Sequence, residues 1–283
     1  MKPVPDLGTG TQTNTRPALM QPAPDHQEEV WPVGKATRRI RDAGAIVEVV
    51  QYSRVKRSDG AAVRKAKRKA TSEIMQHYNR KSSIRKFELM LAANFRAGDI
   101  VGCVTYDDAR LPGSRKEAER RFRYFRDKLK RQYAALGVEL VMFWSTEHKH
   151  GDARWHHHFV VTATGDDYKR IRAAWIYGEV QEFSALQVGE EKNYRTIAEY
   201  FAKESREKIG LRSWSYTRNA RKPAEEWGVV DEHDAPKIPE GVIVLESITS
   251  ETSFGRHYYQ KYMLPAAAQL PRKRAKRKRR QTV

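Results

Sequence analysis

A run of three histidines that continues directly into apolar residues is the feature of this sequence that most constrains its fold. His156, His157 and His158 lie between a tryptophan and the run Phe-Val-Val, a pattern that predicts a buried strand over residues 155–162. Side chains alternate between the two faces of a strand, so His156 and His158 share one face and His157 lies on the other. Residues 138–146 form another apolar run just before a short polar turn, and the two runs predict a β-hairpin.

Glu147 follows the first strand of this hairpin and is a candidate partner for the two histidines. If the hairpin pairs Glu147 with His156 or His158, the carboxylate shares their face within cross-strand reach. A register shifted by one residue would turn the glutamate to the opposite face. Two imidazoles and a carboxylate suit a divalent metal ion with open positions for water or substrate, and they would also suit non-haem iron. We predict a divalent metal site at Glu147, His156 and His158, with incidental polar residues on a strand as the alternative.

Charge and composition narrow the class of partner. The 283 residues carry a net charge of +19, and tryptophans and tyrosines lie among the basic residues, which favours nucleic acid over a membrane surface. No apolar run reaches the roughly 20 residues of a membrane span, and the first residues lack the apolar core of a signal peptide. The single cysteine, Cys103, excludes an intrachain disulfide and fits a reducing compartment.

Periodicity and turn residues divide the chain into three parts. Residues 1–34 and 266–283 predict disordered termini, and residues 35–265 predict a single domain with its core at about 75–225. Predicted strands cover 45–55, 99–106, 138–146, 155–162, 178–183, 211–216, 242–250 and 258–264, predicted helices cover 61–93, 114–136, 166–175 and 193–208, and 223–239 predicts a loop. This order indicates an α+β domain in which helices cover one face of a mainly antiparallel sheet.

Tyr200 is a candidate nucleophile on the helix predicted over residues 193–208. Lys203 lies three residues further on, so the two side chains are neighbours on one helix face. The lysine would stabilise the phenolate or the charge that grows on an attacked phosphate. In this interpretation Tyr200 attacks a metal-bound phosphate, displaces a 3′ hydroxyl and becomes linked to the 5′ phosphate. In the alternative, Tyr200 packs with its hydroxyl in water and Lys203 pairs with Glu199.

Four segments, in chain order, resemble the motifs of one enzyme family. They are a strand that ends in Thr105-Tyr106, Glu147 with residues 156–161, residues 198–204 around Tyr200, and residues 216–219 followed by Pro223. Over about residues 75–225 the chain resembles the rolling-circle replication initiators of phages and plasmids, the Rep branch of the HUH endonucleases. It departs from the family at His157, where a hydrophobic residue is usual.

The resemblance implies a ferredoxin-like antiparallel sheet with helices packed on it, and Mg²⁺ or Mn²⁺ as the cofactor. It further implies nicking of single-stranded or hairpin origin DNA in a bacterial cytoplasm, a 5′-phosphotyrosine link and a free 3′ hydroxyl for rolling-circle replication. Host helicase and polymerase are the implied protein partners. Tyr194 lies on a different helix face from Tyr200, so we predict a one-tyrosine enzyme. The alternatives are a plasmid relaxase or transposase with the same chemistry, a hydrolytic metal nuclease, and a non-enzymatic basic nucleic-acid-binding protein.

Two further segments supply candidate DNA contacts. Arg218 and Asn219 belong to the last of the four motifs, although a loop-stabilising role for Asn219 is an equal alternative. The tail has eight basic residues in nine over 272–280, which predicts non-specific electrostatic affinity, with a nuclear-import signal as the alternative. The tail residues predicted to contact DNA are Arg272, Lys273, Arg274, Lys276 and Arg277.

Overall fold

A computed structural model describes residues 34–53, 73–148, 154–189, 193–202, 214–252 and 255–265. These residues form β1 (Lys35–Asp42), β2 (Ile46–Ser53), α1 (Glu73–Asn94), β3 (Ile100–Thr105), a 3-10 helix (Asp108–Arg110), α2 (Arg115–Ala135), β4 (Met142–His148), β5 (Trp155–Val161), α3 (Asp167–Ala174), β6 (Val180–Ala185), α4 (Tyr194–Phe201), β7 (Ser215–Tyr216), β8 (Ala224–Asp231), β9 (Ile243–Thr252) and β10 (Gly255–Met263). None of the helices in the described ranges has the length and apolar character of a membrane span.

The strands form two antiparallel sheets of five strands each, which agrees with the predicted α+β class. The first sheet has the order β8-β1-β2-β10-β9, and the second has the order β6-β3-β5-β4-β7. The histidine-bearing strand β5 lies at the centre of the second sheet and pairs antiparallel with both β3 and β4. The strands β3 and β4 therefore run parallel to each other, and α2 connects them.

Helices cover both faces of the second sheet, so the prediction that they cover one face is wrong. Phe122 and Phe125 of α2 pack with Phe159 on one face, together with α3. Phe87 of α1 and Phe201 of α4 pack with Val160 and other residues on the opposite face. The physical reason lies in β5 itself, because Phe159 and Val160 are apolar residues on opposite faces and each needs cover.

The helix α1 also contacts the first sheet. Ile46 of β2 belongs to the same buried cluster as Phe87 of α1 and Val160 of β5. Between α1 and β10, the carboxylate of Glu88 accepts hydrogen bonds from Lys261. This helix therefore joins the two sheets through both apolar and ionic contacts.

Two strands of the first sheet depart from the sequence expectations. Residues 223–239 were expected to form a loop, but β8 occupies their first part and pairs with β1 over eight residue pairs. That expectation is wrong because β8 is an exposed edge strand, whose backbone pairing needs no alternation of apolar side chains. The strand β1 is also not predicted, because it is rich in arginine, although it lies between β8 and β2 and its residues are mostly half-buried.

Most other predicted elements of the core are present. The strands predicted over 99–106, 155–162 and 178–183 correspond to β3, β5 and β6, and the helix predicted over 114–136 corresponds to α2. The hydroxyl of Ser114 accepts a hydrogen bond from the backbone N–H of Glu117 and so caps the start of α2. The predicted disorder of residues 1–33 and 266–283, and the predicted helical stretches 61–72 and 203–208, lie outside the described residues.

Candidate active site

The hairpin register pairs Glu147 of β4 directly with His156 of β5. Ser145 is paired with His158 in the same ladder. Residues that face each other across an antiparallel pair lie on the same face of the sheet. The conditional prediction that Glu147 shares a face with His156 and His158 is therefore confirmed at the level of register.

His158 and Ser145 both contact the carboxylate of Glu147. The Nε2 atom of His158 lies 3.3 Å from Oε2 of Glu147, and the hydroxyl of Ser145 donates a 2.9 Å hydrogen bond to Oε1 of the same carboxylate. Cys103 of β3 pairs with His158 from the other side. Burial lowers the pKa of His158, but hydrogen bonds with Cys103 and Glu147 outweigh this effect and raise the pKa to about 10. Before any ion binds, His158 is therefore a cation at neutral pH, held by the carboxylate of Glu147.

His157 points to the opposite face and is completely buried. The hydroxyl of Tyr106 lies 2.9 Å from its Nε2 atom, and the hydroxyl of Thr146 lies 3.0 Å from its Nδ1 atom. Its ring stacks on Phe122 with the ring centroids 4.5 Å apart. Burial lowers the pKa of His157 well below its ordinary value, so this imidazole is neutral. The structure thus separates His157 from the other two histidines, as the alternation predicts.

Tyr200 lies next to His158. It belongs to α4, and its ring centroid is 4.8 Å from that of His158 in an edge-to-face arrangement. The side chain is 36% exposed. Its hydroxyl is 3.5 Å from each carboxylate oxygen of Glu182, which lies on β6. The helix therefore brings the predicted nucleophile to the same sheet face as the predicted metal ligands.

Burial and the negative charge of Glu182 both raise the pKa of Tyr200 above that of an ordinary phenol. The hydroxyl is consequently protonated at neutral pH, and a role as nucleophile would require either a nearby cation or a proton acceptor. Glu182 is placed to accept the proton. The strand prediction over 178–183 covered Glu182, but nothing in its local pattern indicated that it would face a tyrosine from another helix.

Tyr194, the other tyrosine of α4, has a structural contact instead. It is buried, and its hydroxyl donates a 2.7 Å hydrogen bond to the carbonyl of Phe95.

Lys203 and the tail residues 272–277 lie outside the described residues, so their predicted roles stay predictions. Asn219 donates from Nδ2 to the carbonyl of Leu140 at 3.1 Å, which favours its loop-stabilising alternative. Arg218 is exposed on the segment after β7.

The donors Glu147, His156 and His158 fit a divalent ion by their chemistry, since two imidazoles and a carboxylate are common ligands of such ions. Within the described ranges, however, no three His, Cys, Asp or Glu side chains are arranged so that they could hold an ion as they stand. Glu147 is engaged with the His158 imidazolium. An incoming ion would have to displace the proton of His158 and separate these two side chains.

Cys103, Ser145 and Glu182 are the neighbours of the site that sequence analysis did not predict. All three become neighbours only through strand pairing, Cys103 with both His158 and Glu182, and Ser145 with His158. The alternation of side chains along β3 and β4 is the one sequence signal that would have indicated the face of Cys103 and Ser145.

No family model, curated protein or solved structure matches the chain.

Proposed function

We propose that this chain is a replication initiator that nicks one DNA strand at an origin, with Tyr200 as the nucleophile. The observation that carries the proposal is the contact between the Tyr200 ring and His158, on the sheet face that also holds Glu147 and His156. A phenol, two imidazoles and a carboxylate share this face although they come from three different elements. Such convergence favours phosphate chemistry over a chance surface cluster.

The connectivity of the second sheet supports a ferredoxin-like arrangement. The elements β3, α2, β4, β5, α3 and β6 follow one another in the chain, and their strands have the spatial order β6-β3-β5-β4. The helices α2 and α3 pack on one face through a shared cluster of buried residues. The opposite face is the one that carries His156 and His158. This arrangement is compatible with the ferredoxin-like fold that the resemblance to the Rep branch of the HUH endonucleases implies.

The proposed reaction is a transesterification. The Tyr200 oxygen attacks the scissile phosphorus, the phosphorus–O3′ bond breaks, and the strand upstream leaves as a free 3′ hydroxyl. Glu182 accepts the phenol proton from its position 3.5 Å away, and the departing 3′ oxygen takes up a proton. The downstream strand stays attached to Tyr200 through its 5′ phosphate, so the bond energy is retained for later strand closure.

Mg²⁺ or Mn²⁺, held by Glu147, His156 and His158, would neutralise the charge of the bound phosphate when present. The net charge of +19 attracts the negatively charged backbone of the DNA. Lys203 is proposed to stabilise the negative charge at Tyr200 during attack. The same proposal includes a bacterial cytoplasm as the location of the reaction. It also includes a host helicase that unwinds the origin DNA and a host polymerase that extends the 3′ end.

The test uses 3′-labelled single-stranded oligonucleotides that tile the replicon encoding the chain, incubated with the protein and Mn²⁺. One oligonucleotide should yield a labelled protein adduct that survives a denaturing gel, because the label lies downstream of the nick. Tyr200→Phe should abolish this adduct. Tyr124→Phe is the matched control, since Tyr124 is an exposed tyrosine on α2 and should leave the adduct unchanged.

Other outcomes would replace the proposal by a named alternative. Cleavage without an adduct that persists in Tyr200→Phe would indicate a hydrolytic metal nuclease. Binding without cleavage at any oligonucleotide would indicate a non-enzymatic nucleic-acid-binding protein. Adduct formation only on plasmid transfer origins or element ends would indicate a relaxase or a transposase.

A further inference from the structure

A buried ionic network connects the first sheet to the helix that carries Tyr200. Its centre is Glu88 of α1, which is 1% exposed, and whose two carboxylate oxygens lie 2.9 and 3.1 Å from Nζ of Lys261. Lys261 belongs to β10 of the first sheet and is itself 4% exposed. The ion pair therefore spans the junction between α1 and the first sheet, away from solvent.

The same carboxylate also faces α4. Nη1 of Arg195 lies 3.7 Å from Oε2 of Glu88, and Nε of Arg195 lies 2.6 Å from Oε1 of Glu199. Arg195 is in the first turn of α4, and Glu199 immediately precedes Tyr200. A chain of ionic contacts thus runs from Lys261 through Glu88 and Arg195 to the residue beside the proposed nucleophile.

Stability alone does not explain this network. Burial raises the pKa of Glu88 in spite of the opposing effects of Lys261 and Arg195, so the carboxylate is harder to ionise here than in water. Buried ion pairs are commonly no more stabilising than apolar residues of similar size, because both charges lose their hydration. Unlike apolar packing, ionic contacts fix the relative orientation of the groups that they join, since their atoms must meet at defined distances and angles.

Because α4 is short, the orientation of its first turn affects the position of Tyr200. The helix has eight residues, and Tyr200 lies five residues after Arg195, which corresponds to roughly 7.5 Å along the axis. A change in the angle of the first turn is therefore transmitted to the Tyr200 hydroxyl. A misplacement of about 1 Å in a reacting group can reduce a rate by about 100-fold.

We propose that Glu88, held by Lys261, is a positioning residue that orients α4 through Arg195 and so places Tyr200 over the His158 face. The inference rests on the proposed function, because it assigns the network to the placement of the nucleophile. It gives the first sheet a part in the nicking reaction, although that sheet contributes no residue to the site described above.

Two variants test the proposal in the full-length protein. Arg195→Gln cuts the link between Glu88 and α4 but leaves the Glu88–Lys261 pair intact. The double variant Glu88→Leu, Lys261→Met replaces the pair by apolar side chains and avoids a buried unpaired charge. The matched control is the double variant Arg115→Gln, Glu119→Gln, because Arg115 also lies in the first turn of a helix, α2, and pairs at 2.8 Å with a glutamate four residues further on, but this helix does not carry Tyr200.

Three quantities are measured for each variant: the single-turnover rate of adduct formation with saturating oligonucleotide and Mn²⁺, the Kd for that oligonucleotide, and the urea midpoint of unfolding. We expect the rate to fall about tenfold to 100-fold in both test variants, with the Kd unchanged and the midpoint unchanged or higher in the double variant. The control pair should leave the rate unchanged. A rate that falls only in step with the unfolding midpoint would overturn the proposal in favour of a structural role.

A readout without DNA separates this inference from the proposed function. In the wild type, nuclear Overhauser effects between the rings of Tyr200 and His158 should be observable, given the 4.8 Å centroid distance. They should weaken or vanish in Arg195→Gln and persist in the control. If the ring contact and the rate are both unaffected, the positioning role is refuted while the nicking function stands. If the wild type forms no adduct, the proposed function fails and the inference fails with it.

Discussion

His157 offers the sharpest test of the division of the histidines between the two sheet faces. The hydroxyl of Tyr106 donates to the carbonyl of Ala118 at 3.2 Å, so it accepts a hydrogen bond from Nε2–H of His157. Nδ1 is then the acceptor for the hydroxyl of Thr146. The neutral imidazole thus satisfies two buried hydroxyl groups, and the substitution His157→Leu removes both contacts at nearly constant volume.

The expected loss of stability follows from these contacts. A buried hydroxyl left without its partner costs about 1–3 kcal/mol, and the stack of His157 on Phe122 contributes about 0.5–1.5 kcal/mol beyond its buried area. We expect His157→Leu to lower the free energy of unfolding by about 2–4 kcal/mol in total. The measurement is urea unfolding followed by circular dichroism, in which the midpoint should fall without a change in slope.

A double-mutant cycle with Thr146→Val isolates the hydrogen bond. The valine substitution should destabilise the wild type more than it destabilises His157→Leu, because in the latter the hydroxyl has already lost its acceptor. Equal effects of Thr146→Val in both backgrounds, or an unchanged midpoint in His157→Leu, would refute the proposed environment of His157.

The pH dependence of the same variant has a definite sign. The pKa of His157 is depressed in the folded protein, whereas an unfolded histidine binds a proton below about pH 6.5. Its contribution to stability is therefore fully present above that pH, and falls by about 1.4 kcal/mol per pH unit below it. The stability difference between wild type and His157→Leu should shrink on acidification from pH 7 to pH 5. A constant or growing difference would contradict a neutral buried His157.

Two further predictions concern the proposed metal ligands and the backbone beside the site. Because the pKa of His158 is raised to about 10, a bound ion must displace its proton, and the apparent Mn²⁺ affinity should rise about tenfold per pH unit between pH 7 and 9. Titration calorimetry in buffers of different ionisation enthalpy should detect one proton released, and an affinity independent of pH would contradict this. Gly178→Ala should lower stability by about 1–3 kcal/mol, because its Cβ would lie 2.3 Å from the carbonyl oxygen of Thr105. Gly189→Ala is the control, since no heavy atom lies within 4 Å of the corresponding Cβ, and equal urea midpoints for the two variants would refute the argument.

Local patterns in the sequence were sufficient to predict the core elements and the sheet face on which each of the three histidines lies. The alternation along β5 is a property of any extended chain, so it separates His156 and His158 from His157 before the neighbouring strands are known. The helix α2 and its Ser114 cap likewise depend on local features, and the helix occurs where the sequence predicts it. The exposed edge strand β8 has no such pattern, because hydrogen bonds of its backbone to β1 hold it in place.

Only the tertiary structure decided which side chains meet at the site. The pairing of Glu147 with His156 depends on the register of a hairpin, and a shift by one residue would have been compatible with the same sequence pattern. Glu182 of β6 reaches Tyr200, and Glu88 of α1 reaches Arg195, because α4 packs beside both of these elements. Contacts between residues far apart in sequence depend on the packing of the whole chain, so no local pattern could predict them.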